Sequence, residues 1–302
     1  MGRCPWGYEV IEAIGRGIYR EVGPPSYGKQ DLGCGPGGAQ DRFSLAVGNI
    51  LLDNDPTSPA MEMVVPPAVR FRRDCCFVLT GAARANVCLE TTAGKSPVRH
   101  GEVSFAPRGS TLVFGVRAYG FRTYLCYRKA PREPSRIVGR ARGPFGAVAS
   151  WQEPEGRIRC IEGPEYAALP DPRTFLEQAW HVAEQLDDMG VHLASALPRP
   201  SVPSPDMVSA PVNDGTVQLT PAGPIILLRE RQTVGGYPRV LNVIGADVDL
   251  VAQYAPREIL RFRLVDLREA RRANRRRIQD IQRLAGRFRR RSRVVGVPRA
   301  RS

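Results

Sequence analysis

The sequence predicts a mainly β protein, with two β-rich domains, a few short helices and an Arg-rich C-terminal extension. Three observations point there. At 302 residues the chain is long enough for two cores of ordinary size. Its 30 Gly and 27 Pro stand beside short β-branched runs, a pattern of strands and turns rather than helical bundles. Those runs recur roughly every ten residues with Gly, Pro or Asn between them, which argues for closed or sandwiched sheets. We place a first β domain at 1–135, a linker or ordered loop at 136–156, a second β domain at 157–270 and a basic tail at 271–302.

In chain order, 9–22 and 60–71 read as strands framing a polar, Gly-rich region. Within it, GCGPGGAQD (33–41) is a glycine-dense loop. It lacks the GKS or GKT of a phosphate-binding P-loop and the βαβ setting of a dinucleotide fingerprint. DRFSLAVGNILL (41–52) then reads as a short helix, with Phe43, Ala46, Val47 and Ile50 on one face and Asp41 at the N-cap position. Strands follow at 76–81, 85–90, 102–106, 110–115 and 121–127. Residues 128–156 are rich in Pro, Arg and Gly, the composition of a linker.

RIRCIEG (157–163) restarts the strand pattern. DPRTFLEQAWHVAEQLDDMG (171–190) reads as the clearest helix, with Asp171 as cap, Pro172 in the first turn and Gly190 as its end. Phe175, Ala179, Val182 and Ala183 share a side, and His181 borders it as a structural residue. Strands at 215–220, 224–228, 239–245 and 259–265 complete the second unit, with a short helix and turn at 249–258. LREARRANRRRIQDIQRLAGRFRR (267–290) has helix-forming Arg and Ala, and Ile278, Ile281, Leu284 and Phe288 recur at helical spacing.

The formal charge of +14 is unevenly spread. Residues 271–302 hold 13 Arg and one acid, Asp280, for a net +12, so the preceding 270 residues carry only +2. A nucleic-acid or anionic-surface contact therefore has to rest on the tail 271–302, which also reads as a solvated extension or a partner contact. The seven Cys (4, 34, 75, 76, 88, 126, 160) form an odd set without CxxC spacing, and the three His do not cluster with them. They read as mostly buried free thiols in a reducing compartment, and no metal site stands out. The N-terminus lacks an apolar core of signal-peptide length and no run approaches a membrane span; a cytoplasmic protein is expected.

The chemistry-bearing stretch is GPIILLRERQTVGGYPRVLNVIGAD (223–247). It reads as an apolar strand ending in a charged cluster, a Gly-Gly-Tyr-Pro corner and a returning strand. Arg231 can pair bidentately with a carboxylate or phosphate. Gln232 and Thr233 supply an amide and a hydroxyl, Gly235 and Gly236 allow close backbone approach, and Tyr237 can cover a ring or donate its hydroxyl. Arg231, Gln232, Thr233 and Tyr237 are the catalytic candidates; Gly235, Gly236, Asp41 and Asp187 are the substrate-binding candidates. A corner held together by its own polar groups is the competing reading, as a helix cap is for Asp41. No Ser-His-Asp order or HExxH motif is present, so an unaided hydrolytic centre is not visible.

Four segments, GPGGAQDRFSLAVGNILLDN (35–54) with AMEMV (60–64), FVLTGA (77–82), QLDDMGVHL (185–193) and PIILLRERQTVGGYPRVLNVIGAD (224–247), together resemble the family named for allophanate hydrolase subunit 2. It is also described as the family of the 5-oxoprolinase C subunit, or of biotin-dependent carboxyltransferases. The resemblance spans roughly 11–267 and implies two cyclophilin-like β-barrel domains within a larger assembly. As partners it implies the B subunit of that assembly, which is allophanate hydrolase subunit 1-like, and a third 5-oxoprolinase subunit. For the complex it implies ATP-dependent opening of 5-oxoproline to glutamate. The ATP is used by the complex and is not necessarily bound by this chain. Fused relatives implied by the same resemblance transfer a carboxyl group from carboxybiotin to urea. The chain has no Met-Lys attachment motif, so on that alternative biotin arrives on another protein.

Departures accompany the match. Where the family usually reads Gln-Ser-Asp-Arg-Met-Gly, this chain has Leu186 for the small hydroxyl residue and Asp188 for the arginine, which reverses the local charge. A regulatory or interaction protein that kept the fold and lost the chemistry is therefore a third reading.

Overall fold

The computed structural model describes residues 9–129, 157–185, 187–195 and 207–294, with side chains to 286. The predicted linker at 136–156, Cys4 and Leu186 lie outside the described residues. The chain divides into two compact units, and it passes between them more than once. Pro25–Asp41 belongs with the second unit, Arg42 onward with the first, and the second unit ends at Ile278. The Gly-rich loop thus precedes a first-unit helix in sequence while folding with the second unit.

Up to Lys129, the described residues of the first unit form β1 (Ile11–Ile14), β2 (Ile18–Val22), α1 (Arg42–Leu51), β3 (Ala60–Val65), β4 (Ala68–Phe71), β5 (Cys75–Arg84), β6 (Cys88–Thr91), β7 (Gly94–Pro97), β8 (Ser104–Ala106), β9 (Thr111–Val113) and β10 (Arg117–Lys129). They form two five-stranded sheets, ordered β1-β4-β9-β6-β7 and β2-β3-β10-β5-β8. Phe71, Phe77, Leu79, Leu112 and Leu125 fill the core. Every residue of α1 after Arg42 is buried, as an almost wholly apolar helix demands. It lies against β5 and β10, where Thr80 Oγ1 donates to the Ser44 carbonyl at 2.8 Å. Gly48 permits that approach, because a Cβ there would stand 2.6 Å from Cys126 Sγ.

The second unit contains β11 (Arg157–Glu162), α2 (Pro172–Glu177), β12 (Trp180–Val182), β13 (Gly190–Ala194), β14 (Ala210–Pro211), β15 (Thr216–Thr220), β16 (Gly223–Leu227), β17 (Val234–Gly235), β18 (Arg239–Val243), α3 (Gly245–Val251) and β19 (Ile259–Leu264). Seven strands close a barrel in the order β11-β18-β15-β16-β13-β12-β19, and a parallel β11–β19 pairing completes the ring. Its core includes Ile158, Phe175, Trp180, Val217, Leu219, Ile226, Val240 and Phe262. A long helix, α4 (Leu267–Val294), follows β19.

Two sequence expectations are corrected here. The helix expected over 171–190 is α2 alone, ending at Glu177. Asp171 caps it as expected, accepting from the Thr174 N–H at 3.0 Å, with Pro172 in its first turn. Gln178 then turns extended (φ −63°, ψ 154°), and Trp180 and Val182 point inward at strand spacing on β12. The Trp180 indole donates to the Phe175 carbonyl at 2.9 Å and fixes the reversal. An apolar set at 175, 179, 182 and 183 imitated a helix face because helix and strand periods coincide over so short a stretch. Asp187 consequently lies in the turn between β12 and β13, not at a helix end, and Gly190 opens a strand.

The second correction concerns 223–247. The strands on either side of the Gly-Gly-Tyr-Pro segment, β16 and β18, are not partners; β15 lies between them and pairs with both. The segment is a crossover along the barrel wall rather than a hairpin corner.

Candidate functional site

Antiparallel order fixes which loops share a barrel end. The start of β15, the end of β16, the end of β18 and the start of β13 all meet at one end, since Thr216 pairs with Asn242 and Gly190 with Leu227. That end gathers Asp214 before β15, Arg229 and Arg231 after β16, α3 after β18 and Asp187 before β13. The Gly-rich loop closes over it. The Gly37 N–H donates to the Arg229 carbonyl at 3.1 Å, and Gln40 Nε2 donates to the Asp188 carbonyl at 2.8 Å. Gly35 passes so close that a Cβ on it would stand 2.5 Å from the Arg231 carbonyl oxygen.

Arg229 is the hub of this end. Its Nη1 donates to Asp214 Oδ2 at 2.9 Å, Nη2 to Asp249 Oδ1 on α3 at 2.7 Å, and Nε to the Gln40 carbonyl at 3.1 Å. Its backbone N–H is taken by Gln40 Oε1 at 3.0 Å. Burial works against its charge, but Asp249 and Asp214 outweigh burial and hold its pKa above the ordinary arginine value. A buried guanidinium with two carboxylates and one carbonyl as acceptors meets the condition for a tolerable buried charge.

Arg231, two residues on, reaches the same carboxylate from the other side. Its Nε stands 3.1 Å from Asp214 Oδ1, an ion pair without hydrogen-bond alignment, and Nη1 donates to the Gln232 carbonyl at 3.2 Å. Among the described residues Nη2 has no partner. Arg231 is therefore buried, oriented by Asp214 and left with donor capacity, a preset cradle for a planar acceptor such as a carboxylate or an amide oxygen. Asp41 is buried too, accepting from Gln253 Nε2 at 2.8 Å. Asp187 Oδ1 accepts the Met189 N–H at 2.8 Å, while Oδ2 lies 3.4 Å from His192 Nε2.

The other predicted residues lie along the crossover. Gln232 Nε2 donates to Gln218 Oε1 at 3.2 Å, and Gln218 Nε2 donates to the Tyr237 carbonyl at 3.2 Å. The Thr233 carbonyl accepts the Val212 N–H at 3.1 Å. Gly235 gives room to Gln218, whose Nε2 would be 2.5 Å from a Cβ there. Gly236 has ordinary room, and the Tyr237 side chain is exposed. Arg239, where β18 begins at the opposite end, is clamped by Glu165 through Nε at 2.9 Å and Nη2 at 2.7 Å. The structure thus brings Arg231, Asp41 and Asp187 to one barrel end, with Gln232 to Tyr237 leading away from it.

Sequence reasoning missed Arg229, Asp214, Asp249, Gln40, Gln218 and Gln253. Asp214 was masked by its Asn-Asp-Gly setting, which reads as an ordinary turn. A signal for Arg229 existed: it stands two residues before Arg231 in a charged cluster directly after an apolar strand. A separate open cleft of about 590 Å³ runs along Ile161, Glu162 and residues 264–267 and holds none of these groups.

The profile of the carboxyltransferase domain, subdomain A and B, matches residues 32–141 and 130–264. The chain belongs to this family. Among curated relatives of this carboxyltransferase-domain protein, the C subunit of 5-oxoprolinase from Escherichia coli (strain K12) is 27% identical, over 91% of this chain and 96% of the relative. Its counterpart in Haemophilus influenzae, also a 5-oxoprolinase C subunit, is 25% identical, over 87% and 92%. The K. lactis urea amidolyase structure superposes with a TM-score of 0.75 at 19% identity, over 91% of this chain and 20% of that one. A crystal structure of TTHA0988 gives 0.68 at 24% identity, over 84% of this chain and 56% of that one, so the chain spans about half of that protein's length. At these identities the solved structures establish the fold.

Proposed function

We propose that the chain is a non-autonomous subunit of a 5-oxoprolinase-type complex, which opens 5-oxoproline to glutamate with ATP. The observation that carries this reading is the near end-to-end match to the C subunits of two 5-oxoprolinases, covering 92% and 96% of their lengths. The chemistry of the barrel end agrees. Substrate carries a carboxylate and a lactam carbonyl, and Arg231, held by Asp214, offers the donor geometry for either. In the reaction the lactam C–N bond breaks as one water gives its oxygen to the new carboxylate and a proton to the freed amine, and a second water is consumed as ATP becomes ADP and phosphate.

The Gly-rich loop is a poor seat for a triphosphate, because the Gly37 N–H is spent on Arg229 and Glu230 Oε1 would lie 3.2 Å from a Cβ on Gly37. We assign ATP to another subunit. The role of this chain is to bind and orient substrate; partners contribute the activating chemistry.

The test is co-purification with an allophanate hydrolase subunit 1-like partner and a third subunit, followed by ATP-dependent glutamate release. Release by the reconstituted complex, lost when this chain is omitted, is expected; a confirmed complex that releases none overturns the reading. Arg231→Ala should lower kcat/KM by roughly 10- to 100-fold, the effect of losing a charge-assisted hydrogen bond, while the protein still folds. Unchanged turnover removes Arg231 from the site.

The family profile itself favours a second reading, carboxyl transfer from a carboxybiotin carrier to urea or a similar amide. Bicarbonate-dependent carboxylation of urea in the presence of a biotin carboxylase and carrier, without glutamate release, selects it.

A further inference from the structure

The proposed chemistry leaves the arginines of α4 unused. One face of its first three turns is anchored to the second unit. Ala270 packs with Ile244 and Ala246, Asn274 Oδ1 accepts the Ala246 N–H at 2.7 Å, and Arg277 Nη2 donates to the Ala246 carbonyl at 2.8 Å. The opposite face carries Arg268, Arg271, Arg272, Arg275 and Arg276, all exposed. By helix geometry they fall within a sector of about 140° and about 12 Å of axis. Among the described residues none of the five has an acidic partner. Glu269 is taken by Arg263 at 2.7 Å, and Asp280 faces Arg283 at 3.6 Å. Five like charges so close repel one another, and the surface complementary to them is a dense row of anions.

We propose that this face binds the phosphate backbone of double-stranded DNA without reading its sequence. Guanidinium groups suit phosphate through bidentate pairing. A helix that lies on a bilayer needs an apolar face to bury, and between 268 and 276 the arginine sector holds no apolar side chain, while Ala270 and Ala273 on the other side pack with Ile244, Ala246, Ile161 and Val265. Residues 267–286 contain no aromatic side chain on which single-stranded bases could stack. The major groove of B-form DNA, about 12 Å wide, admits a helix between its phosphate rows, whereas that of A-form RNA is narrow and deep.

The test uses the full-length chain and a fluorescent 20-base-pair duplex, with anisotropy read between 50 and 200 mM NaCl. Five phosphate contacts give a log–log salt slope near −4.5, an affinity loss on the order of 500-fold over that range. Arg271→Gln with Arg272→Gln should flatten the slope by about 2. Changing all five arginines to Gln should abolish retention at 50 mM salt with unchanged thermal melting. Retention by that fivefold variant, a salt-independent affinity, or no binding at 50 mM overturns the proposal. So does tighter binding to single-stranded DNA, to duplex RNA, to a poly-Glu peptide or to phosphatidylglycerol vesicles than to duplex DNA.

Discussion

Arg229 and Arg231 share one carboxylate, and the sharing makes their substitutions unequal. Arg229→Met takes the shared guanidinium from Asp214 and Asp249, carboxylates with 21% and 10% side-chain exposure. Breaking such a pair from one side is expected to cost about 3–5 kcal/mol, measurable by urea unfolding. Arg231→Met removes one misaligned ion pair and one carbonyl contact, so its stability cost should stay near 1 kcal/mol while turnover falls. A second residue-scale prediction concerns pH. His100 accepts the Arg84 N–H on Nε2 at 3.2 Å, and burial, with Arg84 nearby, pushes its pKa down to about 4. The folded state therefore binds the proton less well than the unfolded chain, whose imidazole titrates near 6.5. His100 contributes stability above that value, and the contribution fades as pH falls from about 6.5 through 4. Thermal or urea unfolding at pH 7 and pH 5 should show a loss of at most about 2 kcal/mol that His100→Gln suppresses. The thiols were legible as a class: Cys75, Cys76, Cys126 and Cys160 are buried and free, and burial pushes Cys75 and Cys160 up to about 12. The partners of Arg229 were not legible, because Asp214, Asp249 and Gln40 come from three distant segments that only barrel closure brings together.

At the scale of elements, the sequence signalled strands more clearly than helices. Short β-branched runs bounded by turn residues gave most strands within a few positions, since each is pinned by a local pattern. The stretch 171–190 failed for a physical reason: a strand carrying Trp180 and Val182 inward follows a one-and-a-half-turn helix, and only the Trp180–Phe175 bond and β19 pairing decide between them. The Gly-rich loop was recognised, yet its place on the second unit depends on contacts about 190 residues away in sequence. Gly35 gives that placement a test. A Cβ at Gly35 meets two backbone carbonyls, Arg231 at 2.5 Å and Arg229 at 3.4 Å, neither of which can rotate aside. Gly35→Ala should lift the loop, cost about 1–3 kcal/mol and open 33–41 to limited proteolysis. Gly33→Ala meets no atom within 4 Å and suffers only its left-handed φ of 80°, about 1 kcal/mol, so its digestion pattern should match the parent's.

At the scale of the whole molecule, charge and stability separate on one helix. The sequence located the positive charge in the tail, and its helical period was visible in Ile278, Ile281 and Leu284. The sequence also read a helix from 267, where α4 begins; what it could not show is that the first turns belong to the barrel unit, since the anchoring groups are a small Ala270, a polar Asn274 and an Arg277 indistinguishable from its neighbours. Asn274 accepts a first-turn N–H of α3, one of the donors that a helix start leaves unpaired. Asn274→Ala leaves that N–H without its acceptor, at a cost of about 1–3 kcal/mol, or roughly 2–10 °C in Tm. Arg272→Gln, on the exposed face, should leave Tm within about 1 °C, as exposed substitutions away from caps and cores do. Duplex-DNA retention should respond in the opposite order, unchanged by Asn274→Ala below its melting transition and weakened by Arg272→Gln. If both variants moved Tm and retention together, the anchored and the anionic-ligand faces of α4 would be one surface, and the division of labour along this helix would be wrong.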